Sequence, residues 1–321
     1  MPACPAGGLD VLHVGDLRSD GLLNWALLTQ VSAERAHGLS SSAWALPEAE
    51  PGRFCWQARR LPPEALLNAP PRDCRLLILY GLESLERMAL LPARPLAARA
   101  LLLVARHSQL EAARAALATL YPEGEVRLLT SAWAEADPAP DAWPVRLYPG
   151  LFTEVPPADR IEAVGYHLRD AAQAVEQRDF LRRLDASLPC PVVVLAEEAA
   201  ARPLRAYGIE VCPVQSGRNY WNDFYGRASL LVENRSLPGE FRPHDVVGHA
   251  LLRQRVVLLA APAAGPVPGL CTFPDESGLI AALRAMVREP ELFRSVQESL
   301  AASVRHHWGD EAHRERITAR L

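Results

Sequence analysis

Pro191-Val192-Val193-Val194-Leu195-Ala196 is a continuous apolar run of strand length, Ala199 to Tyr207 is patterned as a helix, and Ile209-Glu210-Val211-Cys212-Pro213-Val214 returns to a strand. An apolar run without alternation suits a strand whose sheet is covered on both faces, and a strand, helix, strand succession is the unit of a parallel sheet. The same grammar extends both ways. Toward the carboxyl end it predicts helices at Asn219 to Arg227 and Arg242 to Arg253, and strands at Ser229 to Val232, Val256 to Ala260 and Gly269 to Phe273. Two closing helices follow, Ser277 to Val287 and Pro290 to Trp308. Toward the amino end come a helix at Ala171 to Leu188 and a strand at Ile161 to Gly165.

The first half repeats the pattern. Strands are predicted at Leu9 to Val14, Arg75 to Tyr80, Ala98 to Ala105, Glu125 to Leu129 and Val145 to Tyr148. Helices are predicted at Leu22 to Ala36, with Ser19 or Asp20 as cap, at Leu82 to Leu91 and at Ser108 to Leu120. From Ala43 to Pro71 the signal is weak and rich in proline. Pro149 to Ala158 breaks all periodicity, and is read as a linker between residues 1–150 and 159–321. The fold class is α/β, with two doubly wound, Rossmann-like domains. Such sheets bind ligands in the crevice at the carboxyl ends of their strands.

The chain has 321 residues, enough for two cores, with 49 % hydrophobic and 22 % charged residues. A formal net charge of −4 excludes a general nucleic-acid binder, which needs a strong basic excess. All 34 basic residues are arginines, so an anion site must use Arg, His, backbone N–H groups or helix N-termini. Cys4, Cys55, Cys74, Cys190, Cys212 and Cys271 are scattered without metal-ligand spacing, and are read as reduced residues of a cytoplasmic protein. Met1 to Gly8 lacks the features of a secretory signal, and no apolar stretch approaches the ~18 residues of a spanning helix. Peripheral membrane or partner-protein contact stays open. No Gly-x-x-x-x-Gly-Lys or Gly-x-Gly-x-x-Gly motif is present, which removes support for kinase and dinucleotide readings. His306, His307 and His313 lack metal-ligand spacing and are read as solvated on a terminal helix, so no metal is expected.

Five features in order carry a resemblance. They are Val164-Gly165-Tyr166-His167-Leu168-Arg169; Gly217 with the helix and strand that end at Val232; Glu240-Phe241-Arg242 leading into Val246-Val247-Gly248-His249-Ala250-Leu251-Leu252; Arg255-Val256-Val257-Leu258-Leu259; and Asp275-Glu276-Ser277-Gly278-Leu279-Ile280 before Arg288-Glu289-Pro290-Glu291. Together they resemble the nucleotide-sugar domain of GT-B glycosyltransferases, in the large retaining family that builds bacterial polysaccharides and glycoconjugates. The first half is similar only in its alternation. The family's Glu-x7-Glu motif is degenerate here: His249 stands at the second position, and Phe241 at the first with Glu240 one residue early. Arg253-Gln254-Arg255 replaces the family's glycine turn. The resemblance also implies that the last helix crosses back to brace the first domain.

It further implies a glycosyltransferase with a nucleotide-diphosphate sugar as donor substrate, an unknown acceptor and no cofactor. Gly165, Arg169, Gly217, Phe241, Arg242 and His249 would hold the donor, with Arg169 and Arg242 on its diphosphate through charge-assisted bonds. The helix start near Arg242 favours an anion. His249 would accept one ribose hydroxyl bond in place of a carboxylate. His107, ending a buried strand, and Glu240 are the catalytic candidates, while Asp16 and Gly21 lie in a loop that resembles the acceptor side. Two other readings stand beside this one: a catalytically silent subunit of the same architecture that binds a partner or acceptor, and a nucleotide-sugar epimerase.

Overall fold

The computed structural model describes residues 8–18, 22–46, 53–55, 58–67, 69, 73–131, 142–145, 155–168, 171–214, 220–234, 246–260, 271–308 and 310–321. The chain divides into two compact units. The first holds Met1–Leu151 and Trp308–Leu321, the second Phe152–Gly239 and Asp245–His307.

The first unit runs β1 (Leu9–Gly15), α1 (Leu22–Ala36), β2 (Ser41–Ala45), β3 (Leu66–Leu67), β4 (Asp73–Tyr80), α2 (Leu82–Ala89), β5 (Leu96–Val104), α3 (Leu110–Leu120), β6 (Glu125–Ser131) and β7 (Ala142–Val145). The strands form one seven-stranded sheet in the order β3-β2-β1-β4-β5-β6-β7, every pair parallel. Alternate residues of β1 face opposite ways. Leu12 and Val14 join a cluster with Leu85 and Met88 of α2 and Leu110, Ala113 and Leu117 of α3. His13, between them, turns to Glu34 of α1 at 2.7 Å. Cover on both sides is why the carboxyl halves of β4 (Leu76 to Tyr80) and β5 (Ala100 to Val104) are apolar and buried throughout.

The second unit runs β8 (Val164–His167), α4 (Ala171–Glu176), α5 (Arg178–Ser187), β9 (Val192–Ala196), α6 (Glu198–Arg205), β10 (Glu210–Pro213), α7 (Tyr220–Tyr225), β11 (Leu230–Glu233), α8 (Val246–Leu252), β12 (Val256–Ala260), β13 (Cys271–Phe273), α9 (Glu276–Arg288) and α10 (Pro290–Trp308). Its six-stranded sheet has the order β10-β9-β8-β11-β12-β13 and is again all parallel. α9 shows how sequence becomes packing. Asp275 Oδ1 accepts from Gly278 N at 2.8 Å to cap the helix, and Leu279, Leu283 and Met286 are buried at helical spacing.

Several expectations shift. The stretch from Ala43 to Pro71, which carries only a weak signal, supplies most of β2 and all of β3, and Ser41 through Ala45 are all buried. β8 begins at Val164 rather than Ile161, because Ser229 Oγ takes the Glu162 amide at 2.8 Å before the ladder starts. The single helix predicted over Ala171 to Leu188 is two, parted at Gln177 (φ −89, ψ −2). A further helix, α11 (Asp310–Thr318), which was not among the predicted helices, follows α10 and packs on α1 within the first unit. His313 is not solvated: it is 1 % exposed, with Nε2 3.0 Å from Glu34 Oε1. Among the described residues no helix is long and apolar enough to cross a membrane.

Candidate functional site

In a doubly wound sheet the crevice opens where strand order reverses direction. Each unit has one such point. In the first it lies between β1 and β4, in the second between β8 and β11.

At the first reversal β1 ends at Gly15. A Cβ there would come 2.9 Å from Leu27 Cδ1, so the helix packs against bare backbone. Asp16 follows, and its carboxylate accepts three bonds from Arg18: from the backbone N at 3.0 Å, Nε at 2.8 Å and Nη2 at 2.6 Å. The Arg18 side-chain bond, against a counteracting desolvation, holds the Asp16 carboxyl below its usual range. Asp16 is thus an anion held by Arg18 at the strand edge. His107 opens a 3-10 turn two residues beyond Ala105 and is exposed. Gly21 lies outside the described residues.

At the second reversal the two faces differ. On one, Tyr166 Oη donates to Asn234 Oδ1 at 2.8 Å, while Asn234 Nδ2 donates to Gln177 Oε1 and to Glu276 Oε1, each at 2.7 Å. Arg183 pairs with the other oxygen of Glu276. A carboxylate can only accept, so Glu276 fixes which way the Asn234 amide points. One acceptor and two donors are then filled, and the end of β11 is tied to β8, the α4–α5 junction and the start of α9. On the other face, the His167 ring at the end of β8 lies 5.9 Å from the Trp221 ring, which stacks on His249 at 4.0 Å and 12°. Behind them Arg253, 1 % exposed, donates from Nε and Nη2 to Asn222 Oδ1 at 2.8 and 2.6 Å, and from Nη1 to the His249 carbonyl at 3.1 Å.

The donor residues read from sequence separate in this geometry. His249 is 2 % exposed, and its ring serves the packing of α8 on α7. Gly165 sits inside β8, not in a ligand loop. A Cβ there would come 2.8 Å from Phe224 Cζ and 2.9 Å from Leu230 O, so the glycine admits α7 and β11 to close approach. Arg169, Gly217, Glu240, Phe241 and Arg242 lie outside the described residues. Trp221, Asn234 and Gln177 were not singled out by the sequence, and Glu276 only as part of the stretch that opens the last helix pair. Asn234 meets Gln177 and Glu276 across 57 and 42 residues, and no local pattern announces such a pairing.

A cavity of about 510 Å³ opens at the opposite end of the second sheet, lined by Pro156, Asp159, Arg160, Tyr225, Ser229 and Arg255. There the buried Arg255 donates to the carbonyls of Ala228 (3.1 Å), Pro156 (2.8 Å) and Tyr225 (2.7 Å). Burial pushes its guanidinium down to about 10. This end meets the amino termini of the strands, away from the crevice edge, and Arg255 there staples the segment before β8 to the sheet.

No family model matches the chain, and no curated protein matches it. Solved structures do. HepE from Anabaena in complex with UDP superposes with a TM-score of 0.57 at 11 % identity, covering 97 % of this chain and 99 % of that one. The catalytic domain of starch synthase IV from Arabidopsis thaliana, bound to ADP and acarbose, gives 0.55 at 10 % identity over 98 % and 99 %. A variant of S. aureus TarM with UDP gives 0.50 at 10 % identity over 76 % of this chain, which spans only 55 % of the TarM chain. At such identities the likeness speaks to architecture, and with the two all-parallel, doubly wound sheets it establishes that this chain has the two-domain α/β fold known as GT-B.

Proposed function

We propose that the chain is a glycosyltransferase that takes its sugar from a nucleotide-diphosphate donor held at the β8–β11 reversal of the second unit. The observation that carries this reading is the construction of that reversal: a braced polar hub on one face and an aromatic-lined edge at His167 and Trp221 on the other. The fold supports it, because structural neighbours that cover 97 % and 98 % of this chain include HepE with UDP-glucose and the catalytic domain of starch synthase IV with ADP. Transfer breaks the anomeric C–O bond to the diphosphate and forms a glycosidic bond to an acceptor hydroxyl. Negative charge grows on the departing diphosphate, and Arg169 and Arg242 are the cations the sequence offers it. His107 and Glu240 are proposed to act at the transferred sugar. Asp16 would orient the acceptor from its fixed place beside Arg18. No metal takes part in this scheme.

Titration calorimetry with UDP, GDP, ADP and TDP, repeated with a chelator, tests the donor site. Incubation with the matching nucleotide sugar tests transfer, and the anomeric configuration of the product tests retention. A ligand at a hundredfold excess over its Kd should stabilise the fold by about 2.7 kcal/mol. Binding lost on chelation overturns the metal-free scheme.

A second reading is favoured by one observation. The resemblance puts His249 at a ribose-binding position, yet its ring is 2 % exposed and stacked on Trp221. A silent GT-B subunit that binds a partner or an acceptor fits that burial. No response to any of the four diphosphates decides for it. Conversion of a nucleotide sugar without an acceptor would instead point to an epimerase.

A further inference from the structure

Five elements of the first unit send polar side chains into one solvent-free junction. Glu34 of α1 has a fully buried carboxylate. Its Oε2 accepts from Ser41 Oγ of β2 at 2.6 Å and lies 2.7 Å from His13 Nε2 of β1, while Oε1 lies 3.0 Å from His313 Nε2 of α11. The other ring nitrogen of His13 meets the buried Tyr80 hydroxyl of β4 at 2.9 Å. A carboxylate has no hydrogen to give, so both imidazoles must present N–H at Nε2. Burial alone would raise the Glu34 pKa, but the two histidines outweigh it and hold the carboxyl down at about 2.

α11 brings little else to its seat. Among its described side chains only His313 and Ile317, one turn apart, are buried. Its carboxyl end makes further described contacts. Arg320 lies over the Trp143 ring at 4.9 Å and 3.5 Å from Glu125, and Arg75 and Arg99 donate to the carbonyls of Leu321 and Ala319 at 3.0 and 3.4 Å. The bonds from the exposed Arg75 and Arg99 contribute little, and a nine-residue helix does not hold its shape alone. Among the described side chains of α11, Ile317 and the bond from His313 to Glu34 are the fully buried contributions to the docking. The sheet beneath is closed by its own ladders.

We propose that α11 is a releasable clasp on the first unit, latched by the bond between His313 and the buried Glu34, and that it undocks as one piece while the seven-stranded sheet stays folded. The chain returns to the first unit at Trp308, so undocking leaves that unit without its carboxyl-terminal segment.

Hydrogen exchange on the full chain, followed by mass spectrometry, tests this. In the wild type, amides of residues 310–321 should exchange as one correlated group, ahead of those of β1 and β4. His313→Ala should speed exchange of that group by roughly tenfold or more, the equivalent of one charge-assisted bond, with β1 and β4 unchanged. His313→Gln keeps an N–H donor and should fall between. Exchange of 310–321 in step with the sheet in the wild type overturns the clasp, whether or not His313→Ala folds. Unchanged exchange in both variants overturns the latch.

Discussion

Gln254→Gly should stabilise the second unit, and the structure supplies its own controls. Three helices end in the same pair of hydrogen bonds, one reaching back five residues and one three. For α1 these are Leu39 N to Glu34 O and Gly38 N to Arg35 O, both at 3.0 Å. For α6 they are Ile209 N to Leu204 O (3.3 Å) and Gly208 N to Arg205 O (3.1 Å). For α8 they are Arg255 N to Ala250 O (2.8 Å) and Gln254 N to Leu251 O (2.9 Å). This closure needs one residue in the left-handed region. Gly38 (φ +80) and Gly208 (φ +77) take it without strain, whereas Gln254 (φ +52) is the only non-glycine residue at positive φ among those described. A side chain there costs roughly 1–2 kcal/mol, and glycine returns about 0.5–1 of that through its freer unfolded chain. The net gain is about 0.5–1 kcal/mol. The bond from Gln297 Nε2 goes to the Gln254 carbonyl at 2.9 Å, so the substitution keeps it. For a unit of this size the melting temperature should rise by about 1–4 °C. Chemical denaturation should show a higher midpoint with unchanged m, and Gln254→Ala should give no such gain. A midpoint that falls, or that rises equally with alanine, would refute the reasoning.

Glu34→Gln should remove an acid-sensitive contribution from the first unit. The folded-state pKa, about 2, lies below the ordinary 4.5, so the stabilisation is full above 4.5 and is lost as pH falls from there toward 2. Its size is on the order of 3 kcal/mol, and stability-against-pH curves of equal slope for the two proteins over that window would contradict it. Gly165→Ala should destabilise the second unit by roughly 1–3 kcal/mol, since the new Cβ meets Ala228 Cβ at 2.9 Å and the Leu230 carbonyl, neither free to swing away. Urea melts should therefore move down even without ligand, and a wild-type midpoint argues for a loop role instead. His249→Ala should cost roughly 2–3 kcal/mol by emptying the stack against Trp221, whereas the ribose-contact expectation leaves stability nearly untouched.

The class of the fold could be read from the residues alone. Runs such as Val192 to Ala196 and Val256 to Ala260 are apolar throughout because both sheet faces are covered, and that requirement is written locally, residue by residue. The helix of α9 was legible over Ser277 to Val287, whereas its cap at Asp275 came from the structure. β2 was faint because Ser41 and Ser42 look polar in isolation and become buried only when β1 lies alongside. The rest belonged to tertiary structure, since strand order, the junction around Glu34 and the hub at Asn234 join residues far apart in the chain. His313 shows the limit most plainly. On a helix as polar as α11, a histidine reads as solvated, and only the arrival of a carboxylate 279 residues away makes its burial affordable. His249 shows the converse: its place in a motif suggested a ligand, and the ring of Trp221 made it part of the core. Periodicity reports what a segment needs from its surroundings, while the identity of the partner that meets the need is settled only when the chain has folded.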